Sequence, residues 1–422
     1  MPKPTIRPDR LRARLEMLAA QGGEASEGDA FGGDVRGVSR FPFSAAHAQA
    51  VRVVAAWMEE AGLSAGCDEF GNLIGTCPGS GDGPAIILGS HLDTVPCGGI
   101  FDGALGVVAG VEVAAALHES GRGLHHPLAV VGFADEEGHQ FGVGTLASRC
   151  VTGRIPRERF ASLRGRDGRT LAESLAAFAP GLPRCAFPER AAAYLELHIE
   201  QGPVLARSGR RVAVVSTITG IARTVVVLEG ESNHAGTTPM VDRRDALVGA
   251  AEMVLAVHAL ARAAGAPAVG TVGALSVSPG ASNVVPGRAE LSIEFRTTDG
   301  IQLRGLCAGI ETEARQVAQN RGLSCHVADW DLRDPVPMDE GVQRAIKQAI
   351  QDAGCEPFAL PSGAGHDAMV LAPHVPSGMI FVPSAGGISH SPREWTEWED
   401  AALGAEVLLR AVLRLDEGGP FD

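Results

Sequence analysis

The segment from residue 84 to residue 138 constrains the fold more than any other part of the chain. Two short apolar runs, residues 84–90 and 127–134, flank a stretch rich in Ala and Val that extends from residue 106 to 119. Such runs predict buried strands, and the stretch between them predicts a buried helix. A strand–helix–strand order joins parallel strands of one sheet. We therefore predict an α/β fold with a mostly parallel, mixed sheet flanked by helices.

Chemically capable side chains follow both predicted strands directly. His91 and Asp93 come after the first strand, and Asp135, Glu136 and Glu137 come after the second. Ligand sites in open α/β sheets lie beyond the carboxyl ends of the strands. The sequence therefore predicts a functional site at this edge of the sheet.

A second region has a different pattern, and the chain length of 422 residues also favours two domains. Its predicted strands are residues 212–215, 224–228, 270–276 and 289–296, and its predicted helices are residues 244–264 and 300–321. This α+β order predicts an inserted domain. We predict a catalytic domain in two parts, residues 1–213 and 331–422, interrupted by an α+β domain of residues 214–330. The second part ends in an amphipathic helix at residues 399–415.

Composition excludes several classes of function. The net charge of −14 gives none of the basic surface that a nucleic-acid-binding protein needs. No run approaches 18 uninterrupted apolar residues, so we expect no membrane span. Residues 1–20 predict an amphipathic helix and not a signal peptide. The eight cysteines are dispersed without a C-x-x-C pair, which favours a reducing cytoplasm over a disulfide framework.

Four segments hold an unusual concentration of His, Asp and Glu. Hydrolysis of an amide or a ureide needs a deprotonated water and a neutralised oxyanion, and two divalent cations bridged by a carboxylate supply both. Imidazole and carboxylate ligands suit zinc, manganese, cobalt and nickel. A single histidine or a pair of glutamates means little alone, but their joint occurrence at strand ends predicts a metal site. The segments are residues 91–103, 135–138, 196–202 and 387–392.

These segments resemble the M20 metallopeptidase-like superfamily. Within it they resemble the hydantoinase/carbamoylase branch, which contains N-carbamoyl-L-amino acid hydrolases, allantoate amidohydrolases and β-ureidopropionases. The similarity extends from about Arg36 to the C-terminal helix. Peptidase members of the superfamily usually lack the H-x-E-Q-G-P segment that begins at His198. The runs that mark the branch are residues 195–205, 233–240, 282–287 and 362–368.

The resemblance implies two divalent metal ions per subunit, which could be zinc, manganese, cobalt or nickel. It makes Asp102 the bridging ligand and Glu136 the general base that takes a proton from the attacking water. Asp93 would orient the imidazole of His91. The implied metal ligands are His91, Asp102, Glu137, His198 and His390.

The resemblance also gives the inserted domain a role as a lid that forms a homodimer. His234 would stabilise the oxyanion, with the active site of the partner subunit favoured over that of its own subunit. Asn283 and Arg296 would bind the carboxylate of a small substrate. A purely structural role for Arg296, as the partner of Glu294 or Asp299, stays open.

Two further positions of the first domain are implied to contact substrate. Gln201 and the backbone near Gly365 would hold a ureido group. His366 and Asp367 are assigned to a structural network around the site and not to the catalytic set.

The favoured function is therefore hydrolysis of an N-carbamoyl-L-amino acid to the amino acid, ammonia and carbon dioxide. Allantoate amidohydrolase and β-ureidopropionase are alternatives, because their substrates also place a ureido group near a carboxylate. An M20 aminoacylase or dipeptidase is disfavoured by the H-x-E-Q-G segment. A binding protein that has lost catalysis is disfavoured because all five ligand positions and Glu136 are present.

Overall fold

A computed structural model describes residues 2–22, 37–178 and 180–418. The chain divides into two compact units. The first unit consists of Met1–Ser216 and Pro337–Asp422, and the second consists of Thr217–Val336. The second unit is thus an insertion in the chain of the first. The predicted α/β class, with a separate α+β unit, is confirmed.

The elements are numbered along the whole chain, and three 3₁₀ turns lie at Arg157–Arg159, Met240–Asp242 and Ala385–Gly387. The helices are α1 (Pro8–Ala19), α2 (Ala45–Glu60), α3 (Ala104–Ser120), α4 (Leu146–Val151), α5 (Leu171–Ala177), α6 (Val204–Ser208), α7 (Ala246–Ala264), α8 (Gly300–Arg321), α9 (Glu340–Asp352), α10 (Asp367–Leu371) and α11 (Trp398–Glu417). The strands are β1 (Ser64–Cys67), β2 (Leu73–Cys77), β3 (Ala85–His91), β4 (Leu128–Phe133), β5 (Ala191–Ile199), β6 (Ala213–Ile218), β7 (Gly220–Glu229), β8 (Asn233–His234), β9 (Val269–Ser278), β10 (Val284–Val285), β11 (Arg288–Thr297), β12 (Ser324–Val327), β13 (Asp331–Arg333), β14 (Val336–Pro337), β15 (Ala359–Ser362) and β16 (Ser377–Val382).

A nine-stranded mixed sheet forms the centre of the first unit. Its order is β1-β2-β4-β3-β5-β16-β6-β14, and β15 pairs with β6. The four central strands β4, β3, β5 and β16 are parallel, while β2 pairs antiparallel with β4 and β6 pairs antiparallel with β16. Every residue of β3 and β4 is buried. Strands covered on both faces need continuous apolar sequence, which is the pattern that predicted them.

The second unit is built on an antiparallel sheet of five strands. Its order is β12-β7-β11-β9, with β13 also paired to β7. Helices α7 and α8 pack on one face. Along β11 buried and half-buried residues alternate strictly, so the buried set points to the helices and the other set to the opposite face. A separate two-residue pair, β8 with β10, holds His234 opposite Val284.

Helix α7 is long and apolar enough to cross a membrane by length and composition alone, as the only such helix among the described residues. Its residues Ala250, Met253 and Val257 are buried in the core against the sheet. A third of its apolar window is buried in the structure.

The buried carboxylate of Glu112 anchors helix α1 to the core of the first unit. Glu112 is fully buried in α3, which is otherwise buried and apolar. Arg10 of α1 donates from Nε to its Oε2 at 2.6 Å and from Nη2 to its Oε1 at 2.8 Å. The backbone amide of Arg7 also donates to Oε1, at 2.8 Å. Because a buried carboxylate is stable only when its oxygens are met by donors or cations, Glu112 fixes where α1 packs.

Replacing Glu112 with Gln should lower the free energy of unfolding by about 3 kcal/mol, because removing one partner leaves the other charge buried without compensation. This value lies at the lower end of the usual range for breaking a buried ion pair, because 22% of the Arg10 side chain is exposed to solvent. The urea midpoint, followed by intrinsic tryptophan fluorescence, measures the change. Glu16→Gln is the matched control, because the exposed Glu16–Arg12 pair contributes about 0–1 kcal/mol. Equal effects of the two substitutions would contradict the anchoring role.

Candidate metal centre

The central strands place the five predicted metal ligands at one edge of the sheet. His91 ends β3, His198 lies near the end of β5, and Glu137 follows β4. Asp102 precedes α3 in the loop after β3, and His390 follows β16. Since these four strands are parallel neighbours, their carboxyl ends lie together. Residues far apart in sequence are therefore brought together by strand order.

The carboxylate of Asp102 is the centre of the cluster. Its Oδ1 lies 3.1 Å from Nε2 of His198 and 3.7 Å from Nε2 of His91. Its Oδ2 lies 3.2 Å from Nε2 of His390, which is also 3.4 Å from Oε1 of Glu137. Two of the three groups of candidate metal ligands among the described residues contain Asp102. The arrangement is the one expected for a carboxylate that bridges two cations.

The tautomers of two histidines test whether metal ions fit this cluster. Nδ1 of His91 lies 2.9 Å from the carbonyl oxygen of Asp93, and Nδ1 of His198 lies 2.9 Å from that of Ile199. Each Nδ1 therefore carries the proton, and Nε2 of His198 accepts the Gly103 amide at 3.3 Å. The Nε2 lone pairs then face Oδ1 of Asp102, a buried atom without a hydrogen bond among the described residues. A lone pair that faces a carboxylate oxygen is stabilised by a cation between the two atoms, either a proton on the ring or a metal ion, so the residues fit divalent metal ions.

The charges of the cluster lead to the same conclusion. Burial raises the pKa of Glu136 well above its ordinary value and raises that of Glu137 to about 7. Burial alone would lower the pKa of His91, but Asp102 and Glu136 outweigh it and raise that pKa well above normal. Glu136 and Glu137 thus hold protons strongly, partly because ionising them would add negative charge beside other buried carboxylates. Divalent cations would relieve that excess of negative charge.

Asp93 holds the turn that carries Glu136 and Glu137. Its carboxylate accepts the amide of Glu136 on Oδ1 and that of Glu137 on Oδ2, each at 3.2 Å. It contacts His91 through its backbone carbonyl, while Oδ1 lies 3.9 Å from the ring nitrogen. The carboxylate therefore orients the glutamates, and the main chain of the same residue orients the histidine.

Gln201 lies against two of the predicted metal ligands. Its Nε2 donates to Oδ2 of Asp102 at 3.0 Å and lies 3.3 Å from Nε2 of His390.

Gly365 lies in the loop between β15 and α10, and the ring of its neighbour His366 is 4.5 Å from the ring of His198. Nε2 of His366 is 2.8 Å from the hydroxyl of Ser362.

Three residues of the site have left-handed backbone conformations. Asp135, Gln201 and His390 have φ values of 56°, 57° and 53°. Residues other than glycine adopt such angles at a cost, and they concentrate where function demands a particular side-chain direction. Local backbone strain at Gln201 and His390 therefore accompanies the orientation that places their side chains against Asp102.

Sequence reasoning missed Glu394. Its Oε1 accepts the amides of Phe101 and Asp102 at 3.2 and 3.1 Å, so it fixes the backbone of Asp102. Gly99 permits this approach, because a Cβ there would lie 2.1 Å from the same oxygen. The available signal was its position four residues after His390.

The second unit contains the remaining predicted residues. His234 and Asn283 are neighbours, because the amide of Ala235 donates to the Asn283 carbonyl at 2.9 Å. Nδ1 of His234 accepts the Gly236 amide at 3.1 Å, so in the neutral ring the proton lies on Nε2. Arg296 lies on β11, where its Nε donates to Oε1 of Glu294 at 2.7 Å. This is one of the two pairings left open by the sequence.

A shared carboxylate among imidazoles at the carboxyl edge of an α/β sheet is typical of hydrolases that work with metal ions. Residues 87–414 match the model of peptidase family M20/M25/M40. The chain belongs to that family and, within it, to the hydantoinase/carbamoylase branch.

Three relatives show how far the similarity extends. The chain is 41% identical to the N-carbamoyl-L-amino acid amidohydrolase of Geobacillus stearothermophilus, over 98% of this chain and 100% of that protein. It is 34% identical to the allantoate amidohydrolase of Escherichia coli K12, over 85% and 88% of the two chains. A crystal structure of a hydantoinase/carbamoylase family amidase from Burkholderia multivorans matches with a TM-score of 0.90 at 33% identity, covering 98% and 99%.

Asp102→Ala should prevent binding at both metal positions, because both groups of ligands depend on this carboxylate. The isolated wild type should hold about two ions per chain. Glu136→Gln is the matched control: it should keep both ions while kcat falls by about 10²–10⁴, the usual contribution of a general base. Elemental analysis and kcat measure the two effects. A metal-free Glu136→Gln protein, or a wild type fully active after complete chelation, would refute these assignments.

Proposed function

We propose that this enzyme hydrolyses N-carbamoyl-L-amino acids. One water cleaves the ureido group, and the products are the amino acid, carbon dioxide and ammonia. The observation that carries the hydrolytic chemistry is the buried Asp102 carboxylate shared by two groups of imidazole and carboxylate ligands. The choice of substrate is supported by full-length identities of 36–41% to three proteins named as N-carbamoyl-L-amino acid amidohydrolases.

The catalytic roles in the first unit follow from position and charge. Two divalent ions (zinc, manganese, cobalt or nickel) held by the five ligands would supply Lewis acidity and lower the pKa of water. Glu136 accepts the proton of the attacking water and delivers it to the leaving nitrogen. Asp93 accepts the backbone amide of Glu136 and so holds this residue in place. Glu137 stays a ligand, so the two adjacent glutamates divide the tasks.

Substrate recognition uses both units. In the second unit, Arg296 and Asn283 bind the substrate carboxylate. His234 donates from Nε2 to the developing oxyanion, and the Gly236 amide on Nδ1 favours the tautomer that can donate. In the first unit, Gln201 and the backbone at Gly365 hold the ureido group.

Allantoate hydrolysis is the second candidate. Its support is the 34% identity to the allantoate amidohydrolase of Escherichia coli. β-Ureidopropionate has the same chemical groups at a different separation. The three substrates share a ureido group and a carboxylate, so the metal cluster serves all of them equally.

We also infer that the enzyme is a cytoplasmic homodimer joined through the second unit. Strand β9 is an edge strand of the antiparallel sheet and exposes Val269 and Leu275. Helix α7 packs against β9 and exposes Leu255, with 69% of its surface accessible. An open strand edge beside exposed apolar side chains fits pairing with a second copy of itself.

A substrate panel tests the proposed function by ammonia release. We expect the highest kcat/KM for an N-carbamoyl-L-amino acid, with less for allantoate and β-ureidopropionate. The carboxamide analogue of the best substrate should lose about 10- to 100-fold, since a hydrogen bond to a charged group contributes about 1.5–3 kcal/mol. Activity confined to dipeptides or acylated amino acids would replace this proposal with peptidase or aminoacylase activity.

Mixing two inactive variants tests whether His234 acts in the partner subunit. Random pairing of His234→Ala with Glu136→Gln chains makes half of the dimers mixed, and each mixed dimer has one site with both residues intact. We therefore expect recovery of about a quarter of wild-type activity. Absence of recovery in verified heterodimers would place His234 in its own subunit's site.

A further inference from the structure

Two arginines share one carboxylate on the face of the second unit's sheet opposite its helices. Glu294 and Arg296 are two residues apart on β11, so their side chains leave the sheet on the same face. Arg223 of β7 lies directly opposite Glu294 in the strand register. Arg296 donates from Nε to Oε1 of Glu294 at 2.7 Å, and Arg223 donates from Nε to Oε2.

This geometry restricts the guanidinium of Arg296. A hydrogen bond at Nε fixes the rotation of the planar group about its last side-chain bonds, and a fixed plane loses less entropy when it binds a second partner. The pair is partly withdrawn from water, with 25% and 28% of the side chains of Arg296 and Glu294 exposed. Water therefore weakens the contact less than it would weaken a fully exposed pair.

Arg223 has a separate electrostatic effect. A single arginine bonded to a single carboxylate is neutral and has little attraction left for an anion. Two arginines around Glu294 leave the trio with a formal charge of +1. Burial raises the pKa of Glu294, but the hydrogen bonds from Arg296 and Arg223 outweigh burial and lower it, so the carboxylate stays ionised at neutral pH.

We propose that Glu294 is a positioning residue that presets the Arg296 guanidinium for the substrate carboxylate, while Arg223 preserves the positive charge that attracts it. This inference rests on the proposed role of Arg296 in substrate binding. It names a specificity-determining pair that lies outside the metal cluster.

The same strand provides a matched control. Arg288 and Glu290 form another pair two residues apart on the same face of β11, with Nη2 of Arg288 donating to Oε2 of Glu290 at 2.8 Å. This pair does not include Arg296. Glu290→Gln therefore makes the same chemical change in the same strand without altering the partner of Arg296.

The experiment compares Glu294→Gln, Glu290→Gln and Arg296→Lys in the metal-loaded enzyme, with an N-carbamoyl-L-amino acid and its carboxamide. We expect Glu294→Gln to raise KM for the carboxylate substrate about tenfold, equivalent to about 1.4 kcal/mol, with little change in kcat. The carboxamide should be unaffected, because it lacks the charge that Arg296 binds. Glu290→Gln should behave as wild type with both substrates. Arg223→Gln, which removes the extra positive charge, should also raise KM for the carboxylate substrate alone.

The possible failures can be told apart. If Arg296→Lys weakens carboxylate binding but Glu294→Gln matches Glu290→Gln, the positioning role is wrong and the proposed function stands. If Glu294→Gln impairs both substrates equally, or lowers the unfolding midpoint enough to explain the loss, its role is structural and the inference is overturned. If Arg296→Lys leaves the preference for the carboxylate unchanged, the role of Arg296 in substrate binding is wrong, and the positioning role falls with it.

Discussion

A carboxylate as deeply buried as that of Asp102 is stable only when both of its oxygens are met by positive charge or hydrogen-bond donors. The imidazole and amide groups that surround it come from separate parts of the first unit. His198 comes from β5, Gln201 from the turn after β5, and His390 from the segment after β16. Glu394 holds the backbone of Asp102 itself. The assembly of the site therefore depends on the order of the central strands, because only neighbouring parallel strands bring these segments together.

The parts of the fold that depend on local sequence were predictable. Helix α8 begins and ends at the predicted residues, Gly300 and Arg321. Both ends carry strong local signals, since the Asp299 side chain accepts two amides at the start and Gly322 adopts a left-handed conformation after the end. Helix α3 extends slightly beyond its predicted bounds, from residue 104 to 120, and the two strands beside it were placed within a residue. Hydrophobic periodicity and end signals decide such elements, and both lie within a short window of sequence.

The contacts that complete the site were not predictable in the same way. The position of Glu394 near His390 places it close to the site, but it does not indicate contact with the amides of Phe101 and Asp102, almost three hundred residues away. Glu112 likewise stands in an apolar helix, and no residue near it in the sequence indicates that its partner is Arg10 of α1. Two acidic residues, Glu294 and Asp299, lie near Arg296 in the sequence. Glu294 is the partner, because residues two apart on β11 leave the sheet on the same face. Partners of buried charges are set by packing between distant segments, so they require the three-dimensional structure.

The place of β16 in the central sheet has a consequence for synthesis. This strand lies between β5 and β6, yet it is translated only after the whole second unit has left the ribosome. At a translation rate of about 5–20 residues per second, on the order of ten seconds or more pass between the synthesis of β5 and that of β16, which covers its edge. An uncovered edge of an apolar parallel strand is a template for association between chains. The nascent enzyme is therefore most vulnerable to aggregation during this interval, and a chaperone that shields strand edges would protect it at the time when its own sheet cannot.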